Sequence, residues 1–366
     1  MYEIRPSTAD ADEEFERLAN ALKAGDELIL HGALYSQSGR RAVTAKGTAD
    51  QPIVIRAADG ETPLLTHAAQ NADSYNNIEF VDCCHLVIRG LRFKGCSSGV
   101  RFIRGHHVTL EDCEIFETLN NALTMNSGNC DSFVIRRNQM HHTGLSVSGP
   151  TEGEGMYIGC HDGSCITTNS LFEGNYIHHL RSTSDGGNDG IEIKFGSYGN
   201  VVRDNVIHDT NIGRQYPGIF IYGGGKGINI VNHPRGVSIR WSKAADMVFA
   251  NNVVFCPGST AIDASSAGDA VFIANYVNGG VSGVAIDNSR FFGGADAAQV
   301  FVDPSWKNFW PAPGSPLIGR ADSQFVPETD FNHAARKPPF DVGAYETEDR
   351  PENPGWTLQE GFKHTR

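Results

Sequence analysis

Residues 171–177, LFEGNYI, and 201–207, VVRDNVI, share one pattern: an apolar residue, an asparagine three positions on, and a second apolar residue two beyond that. The same apolar flanks recur in FVIRRNQM, VFANNVV and VFIANYV around asparagine, and in LVIRGLRF and VTLEDCEI around Leu91 and Cys113, so that Leu91, Cys113, Asn138, Asn175, Asn205, Asn252 and Asn275 form one set of anchors. Three residues before each anchor stand Ile88, Leu110, Ile135, Phe172, Val202, Phe249 and Phe272; two after stand Phe93, Ile115, Met140, Ile177, Ile207, Val254 and Val277. A second apolar stretch follows each anchor: GVRFI, ALTMN, GMYIG, GIEIK, GIFIY, AIDAS and GVAID. Its second and fourth residues are apolar in every copy, from Val100 and Phe102 to Val284 and Ile286, the period-two signature of a half-buried strand.

Short strands of this kind cannot close a core alone and must stack on their neighbours. A parallel solenoid follows. Anchor spacings of 22, 25, 37, 30, 47 and 23 residues imply a basic coil near 22 to 25, the excess being loops; 47 fits either two coils or one with a long excursion. Stacked anchor asparagines would bond one coil to the next through their amides, satisfying buried turn groups. ADEEFERLANALKAGDEL predicts a capping helix over residues 11–24, with Phe15, Leu18 and Leu22 on one face over the open first coil.

Composition limits the rest. The 41 glycines and 20% charged residues suit a turn-rich folded chain of 366 residues, read as a single elongated domain with its coils over 25–345 and a tail over 346–366. A net charge of −13 without a basic run argues against nucleic acid, and no stretch is apolar enough for a membrane helix. The first residues, MYEIRPSTADADEE, lack a signal peptide. The chain is therefore read as cytoplasmic, or as secreted or periplasmic with its signal removed, and as a monomer. Eight cysteines are too few for a disulfide scaffold, but the short polar insert between Cys160 and Cys165 suits a small closed loop.

From anchor to second strand the gaps are 8, 9, 17, 15, 13, 9 and 8 residues, so the middle coils carry the long loops. Such loops on a rigid scaffold mark the strands starting at Gly155, Gly190 and Gly218 as the site. Alternation turns Tyr157, Glu192, Lys194, Phe220 and Tyr222 outward there, within reach of one sugar ring. Flanking loops add Glu152, Glu154, His161, Asp162, Asn188, Asp189, Arg214 and Tyr216. An outward Glu and Lys are ordinarily just solvated; the surrounding insertions favour a role for both. His141, His142 and His178, which follow anchors at turns, are read as structural.

With these repeats, and with GTADQPIVIRA and FDVGAYE near the ends, the chain resembles the right-handed parallel β-helix proteins of the pectate-lyase-like superfamily. The resemblance implies an all-β fold and an acidic, uronic-acid-containing polysaccharide lying along the strands, cleaved by β-elimination. DGIEIKFGSYGNVVRDN is similar in layout to the region of the chondroitinase B and alginate lyase family in which an acidic residue precedes the catalytic lysine by about five positions, as Asp189 precedes Lys194. Lys194 is then the base, Glu192 and Tyr157 its neighbours, and calcium the expected cofactor on Asp189 and Glu192, since a cation would offset the carboxylate that otherwise holds a lysine charged. That family places an arginine on the next coil where this chain has Tyr222, so Arg214 or Tyr222 is the expected proton donor. Glu152, Glu154, His161, Asn188, Tyr216 and Phe220 are expected to bind substrate.

Three other readings stand beside the lyase. A glycoside hydrolase could pair two of Glu152, Glu154, Asp189 and Glu192, although paired aspartates followed by Gly-His-Gly are absent. A uronate epimerase would share the proton abstraction. A non-catalytic carbohydrate-binding solenoid would use Tyr157, Phe220, Tyr222 and Trp241 as an aromatic row. Lys194, Arg214, Arg181 and Lys226 could make the cleft locally positive on this acidic chain. An outward Lys194 is also expected to be removable without harm to the fold.

Overall fold

The computed structural model describes residues 1–5, 11–32, 34–67, 74–184, 187–210, 218–222, 229–231, 237–240, 248–265, 270–332 and 334–347; for residues 11, 12, 220–222, 229–231 and 238–240 it describes the backbone alone. The asparagine anchors decide how the coils join. Asn138 Oδ1 accepts from the Cys113 N–H at 3.0 Å, Asn175 Oδ1 from the Asn138 N–H at 3.1 Å, and Asn205 Oδ1 from the Asn175 N–H at 2.9 Å. The side-chain amides continue the ladder: Asn138 Nδ2 donates to Asn175 Oδ1 and Asn175 Nδ2 to Asn205 Oδ1. Asn252 and Asn275 repeat it further along. These side chains are buried, so each turn spends its polar groups on its neighbour rather than on water.

Stacked on that ladder, the strands pair in parallel, coil upon coil, from Tyr2–Ile4 to Phe291–Phe292. Each well-formed coil has three faces. The coil carrying Met156–Ile158 continues through Leu171–Glu173 to Tyr176–Leu180, and the next carries Ile191–Ile193, Val201–Arg203 and Val206–His208. Every apolar residue flanking the anchors is buried, as the period requires. The 47-residue spacing is two coils: Asn229–Val231 pairs with Val201–Arg203 on one side and Val248–Ala250 on the other, and Val237–Arg240 pairs with Ile219–Tyr222.

The helix Ala11–Ala21 buries Phe15 and Ala19, and Leu22 just beyond it, against the first strands, while Leu18 packs at the margin. At the other end two expectations change. The stretch 283–287 is not a strand, and Ile286 is 67% exposed, with no further coil stacked on it among the described residues. Parallel pairing also ends at Phe292 rather than continuing to residue 345. Residues 297–347 fold back on the late coils, placing Phe331, Ala344 and Tyr345 against Tyr176 and Val206, and Val300, Leu317 and Val342 against Val253 and Tyr276. The buried Arg336 fastens this segment through Asp204 and Glu346, each at 3.2 Å.

His141, His178 and His208 stack on one face at centroid separations of 4.9 and 5.2 Å. Each ring is held: His141 to Glu114, His178 to Gln139, His208 to Tyr176 and Asp209. Burial, reinforced by the neighbouring imidazoles, keeps His178, the central ring, well below the ordinary histidine range.

Asn175→Ala would remove the acceptor of the buried Asn138 amide, and we expect a loss of about 1–3 kcal/mol. Equilibrium chemical denaturation measures it; an unchanged midpoint would deny the ladder its structural role.

Candidate functional site

On the face that begins each coil, one column of side chains points away from the core. Backbone register places Arg101, Thr124, Tyr157 and Glu192 on successive coils in that column and runs on through the backbone positions of Phe220 and Ser238 to Asp263. Glycine precedes the central strands because space demands it. A methyl group at Gly190 would lie 2.6 Å from the Gly218 carbonyl oxygen and 2.6 Å from Ile207 Cγ2. The tight approach holds Asp189, on one side of that glycine, and Glu192, on the other, close to one place.

Outward does not mean exposed here. Glu192 and Lys194 are 3% and 5% exposed, Glu154 is 2% and Asp189 is fully covered. Lys194 Nζ lies 2.5 Å from Glu192 Oε1 and 4.3 Å from the centroid of the half-buried Tyr157 ring. Glu154, Asp189 and Glu192 each offer a carboxylate oxygen within 4.8 Å of the others. Among the described residues, both oxygens of Asp189, with Oε2 of Glu154 and of Glu192, have no hydrogen-bond partner. Burial raises the pKa of Asp189 and Glu154 well above the ordinary carboxylate range, and the neighbouring carboxylates add to it. Glu192 is raised too, chiefly by burial, with Lys194 opposing.

Such a cluster is costly unless protons or a cation occupy it. Its donors are all oxygen, the set that suits a hard cation rather than a transition metal. The three carboxylates converge on one point, and the lysine sits at its edge against a phenol.

The sequence-predicted residues divide as follows. Lys194, Glu192, Asp189, Glu154 and Tyr157 come together. Asn188 is buried and donates to the Leu180 carbonyl at 3.1 Å. Glu152 is exposed, and its charge reaches Glu154 and Glu192. His161 and Asp162 are exposed on the loop closed by the Cys160–Cys165 disulfide, which joins the two cysteines the spacing singled out. Arg181 is exposed. Phe220 and Tyr222 lie on the strand Ile219–Tyr222, in register with Glu192 and next to Arg240 respectively. Arg214, Tyr216, Lys226 and Trp241 lie outside the described residues.

Two features escaped the sequence reading. Glu154 is a third member of the carboxylate cluster, not only a flanking residue. Arg240, in register with Tyr222, stands on a coil the repeat pattern did not resolve, although the alternation in VSIR was a signal for its strand. The expectation that Lys194 could be removed without harm also changes, since its loss leaves Glu192 buried without its cation.

Residues 76–254 match the family described as "Right handed beta helix region". The chain is a right-handed parallel β-helix. Among solved β-helices, the alginate lyase from Paenibacillus sp. str. FPU-7 is 18% identical, with a TM-score of 0.53 over 80% of this chain and 98% of that one. The pectate lyase Pel9A is 13% identical, with a TM-score of 0.58 over 94% of this chain and 95% of that one. At these identities the likeness is one of fold. No curated protein matches the sequence.

The raised pKa values of Glu154 and Asp189 fix a sign. Their contribution to stability is full below the unfolded carboxyl values of about 4 and is lost as pH rises through the folded ones. In metal-free buffer the thermal midpoint of Glu154→Gln should therefore fall less steeply than that of the wild type as pH rises above the unfolded carboxyl values of about 4. Parallel curves would contradict the clustering.

Proposed function

We propose that this β-helix is a polysaccharide lyase that cleaves a uronic-acid-containing polymer by β-elimination. The observation that carries the reading is Lys194: its Nζ touches both the Glu192 carboxylate and the Tyr157 ring, beside a buried cluster of unsatisfied carboxylate oxygens. A polymer lying along the helix axis would follow the outward column and cross this point.

In the proposed reaction Lys194 takes the proton from the carbon beside the sugar carboxylate. The electron pair left behind forms a carbon–carbon double bond as the bond to the glycosidic oxygen breaks, and that oxygen receives a proton from the Tyr157 phenol. No water is consumed. The difficult step is the first, because the proton is very weakly acidic until the sugar carboxylate is neutralised. A calcium ion held by Glu154, Asp189 and Glu192 would supply that neutralising charge. Glu192, shared between such an ion and Lys194, would align the amine. Glu154 and Asp189 are the members of the set whose oxygens call most strongly for an ion, and the Tyr157 ring lies against the lysine.

The Cys160–Cys165 disulfide beside the site suits an oxidising compartment, and a polymeric substrate suits the same place; we propose export. The hydrolase reading would need two carboxyl groups facing each other across the scissile bond, whereas these converge on one another.

Lys194→Arg keeps the charge that pairs with Glu192 but cannot deprotonate. With alginate, pectate, chondroitin, hyaluronan and glucuronan as substrates, the wild type should generate the ultraviolet absorbance of an unsaturated uronate on one of them. Lys194→Arg should lose at least about a hundredfold in rate with an unchanged circular dichroism spectrum. A folded Lys194→Arg protein with wild-type turnover would exclude Lys194 as the base.

A further inference from the structure

Away from this site, three imidazoles gather at one bend of two early coils. His85 lies in the coil strand Ile78–Arg89, and His106 and His107 lie in Val100–Glu111. Register pairs Cys84 with His106 and Leu86 with Val108, which makes His85 and His107 equivalent residues of adjacent coils. Both adopt the left-handed conformation, with φ of 46° and 54°. The bend requires that conformation but not that side chain, since Ser132, Asn169 and Gly199 serve at the same place in the coils that follow.

The rings are close and differently placed from the buried histidine stack. His85 stacks on His107 at 4.7 Å, and His106 meets both edge-on at 5.4 and 5.3 Å. His106 Nδ1 lies 3.0 Å from His107 Nδ1, and one ring nitrogen from each of the three falls within 4.8 Å of the others. In the buried stack a carboxylate, an amide or a phenol holds each ring. Here, among the described residues, the one ring hydrogen bond is that between His106 and His107. His106 and His107 are exposed and His85 is half-buried, so an ion can reach them.

We propose that His85, His106 and His107 form a binding site for a divalent transition metal of the zinc class, clasping two neighbouring coils at the rim of the helix. Neutral imidazole is a borderline donor that favours zinc, nickel or copper over calcium or magnesium. Zinc–nitrogen bonds of about 2.0–2.1 Å ask the nitrogens to close to about 3.4 Å in a tetrahedral site, within the swing of exposed rings. Three protein donors leave a fourth position for water. The site is separate from the carboxylate cluster in both place and chemistry: nitrogen donors here, oxygen donors there.

The test is calorimetric titration of chelator-stripped protein with zinc chloride, in calcium sufficient to saturate any oxygen site. His85→Asn/His107→Asn keeps residues that tolerate the left-handed bend, as Asn169 does, and His106→Ala alters an exposed side chain alone. We expect the wild type to bind one equivalent of zinc and to gain thermal stability from it. Both variants should bind at least about tenfold more weakly, the factor equivalent to ~1.4 kcal/mol, with metal-free melting curves unchanged. Equal zinc affinity in the wild type and both variants, or no zinc binding by the wild type, would overturn the proposal.

Discussion

The buried asparagine ladder is the constraint on which this molecule rests. A parallel coil must turn three times per circuit, and every turn places backbone amides where water does not reach them. By accepting the N–H of the preceding coil and handing its own amide onward, each asparagine satisfies one coil with the next. Coils so fastened keep one register, and register is what brings residues far apart in sequence, such as Glu154, Asp189 and Lys194, into one small volume.

Rigidity of that kind permits an arrangement that a looser scaffold would relax. Three carboxylates and one ammonium share a place closed to water, although burial and mutual repulsion both oppose ionisation of the acids. Lys194 pairs directly with Glu192 and offsets Glu154 and Asp189 only in part. The oxygens left unsatisfied on Asp189 and Glu154 ask for a proton or a cation, and that is the electrostatic demand a uronate substrate also makes. A solvated Glu–Lys pair on an outer strand would carry no such tension.

Much of this was legible in the sequence, for definable reasons. Asparagine is the residue whose side chain copies the peptide group, so its recurrence between apolar flanks exposed both the coil length and the stacking. Alternation showed correctly that Glu192 and Lys194 point away from the core. It could not show their burial, which depends on covering structure rather than on the strand. Glu154 lies in a loop, where no period operates, and its place beside Asp189 follows from the third dimension alone. The coil through Asn229–Val231 and Val237–Arg240 lacks an aligned asparagine anchor, which left the 47-residue spacing open and Arg240 unnoticed. At the far end, GVAID carries the strand pattern but has no neighbour beyond it among the described residues, and pattern without a partner does not make a strand.

The central claim is that this cluster eliminates rather than hydrolyses. The most direct measurement is the mass of the products formed from a cleaved uronate polymer in water enriched with heavy oxygen. Elimination divides the chain without adding water, so the fragments should sum to the mass of the parent and carry no label, with one unsaturated end at each break. Fragments heavier by one labelled water per break would contradict the account and make the converging carboxylates hydrolytic.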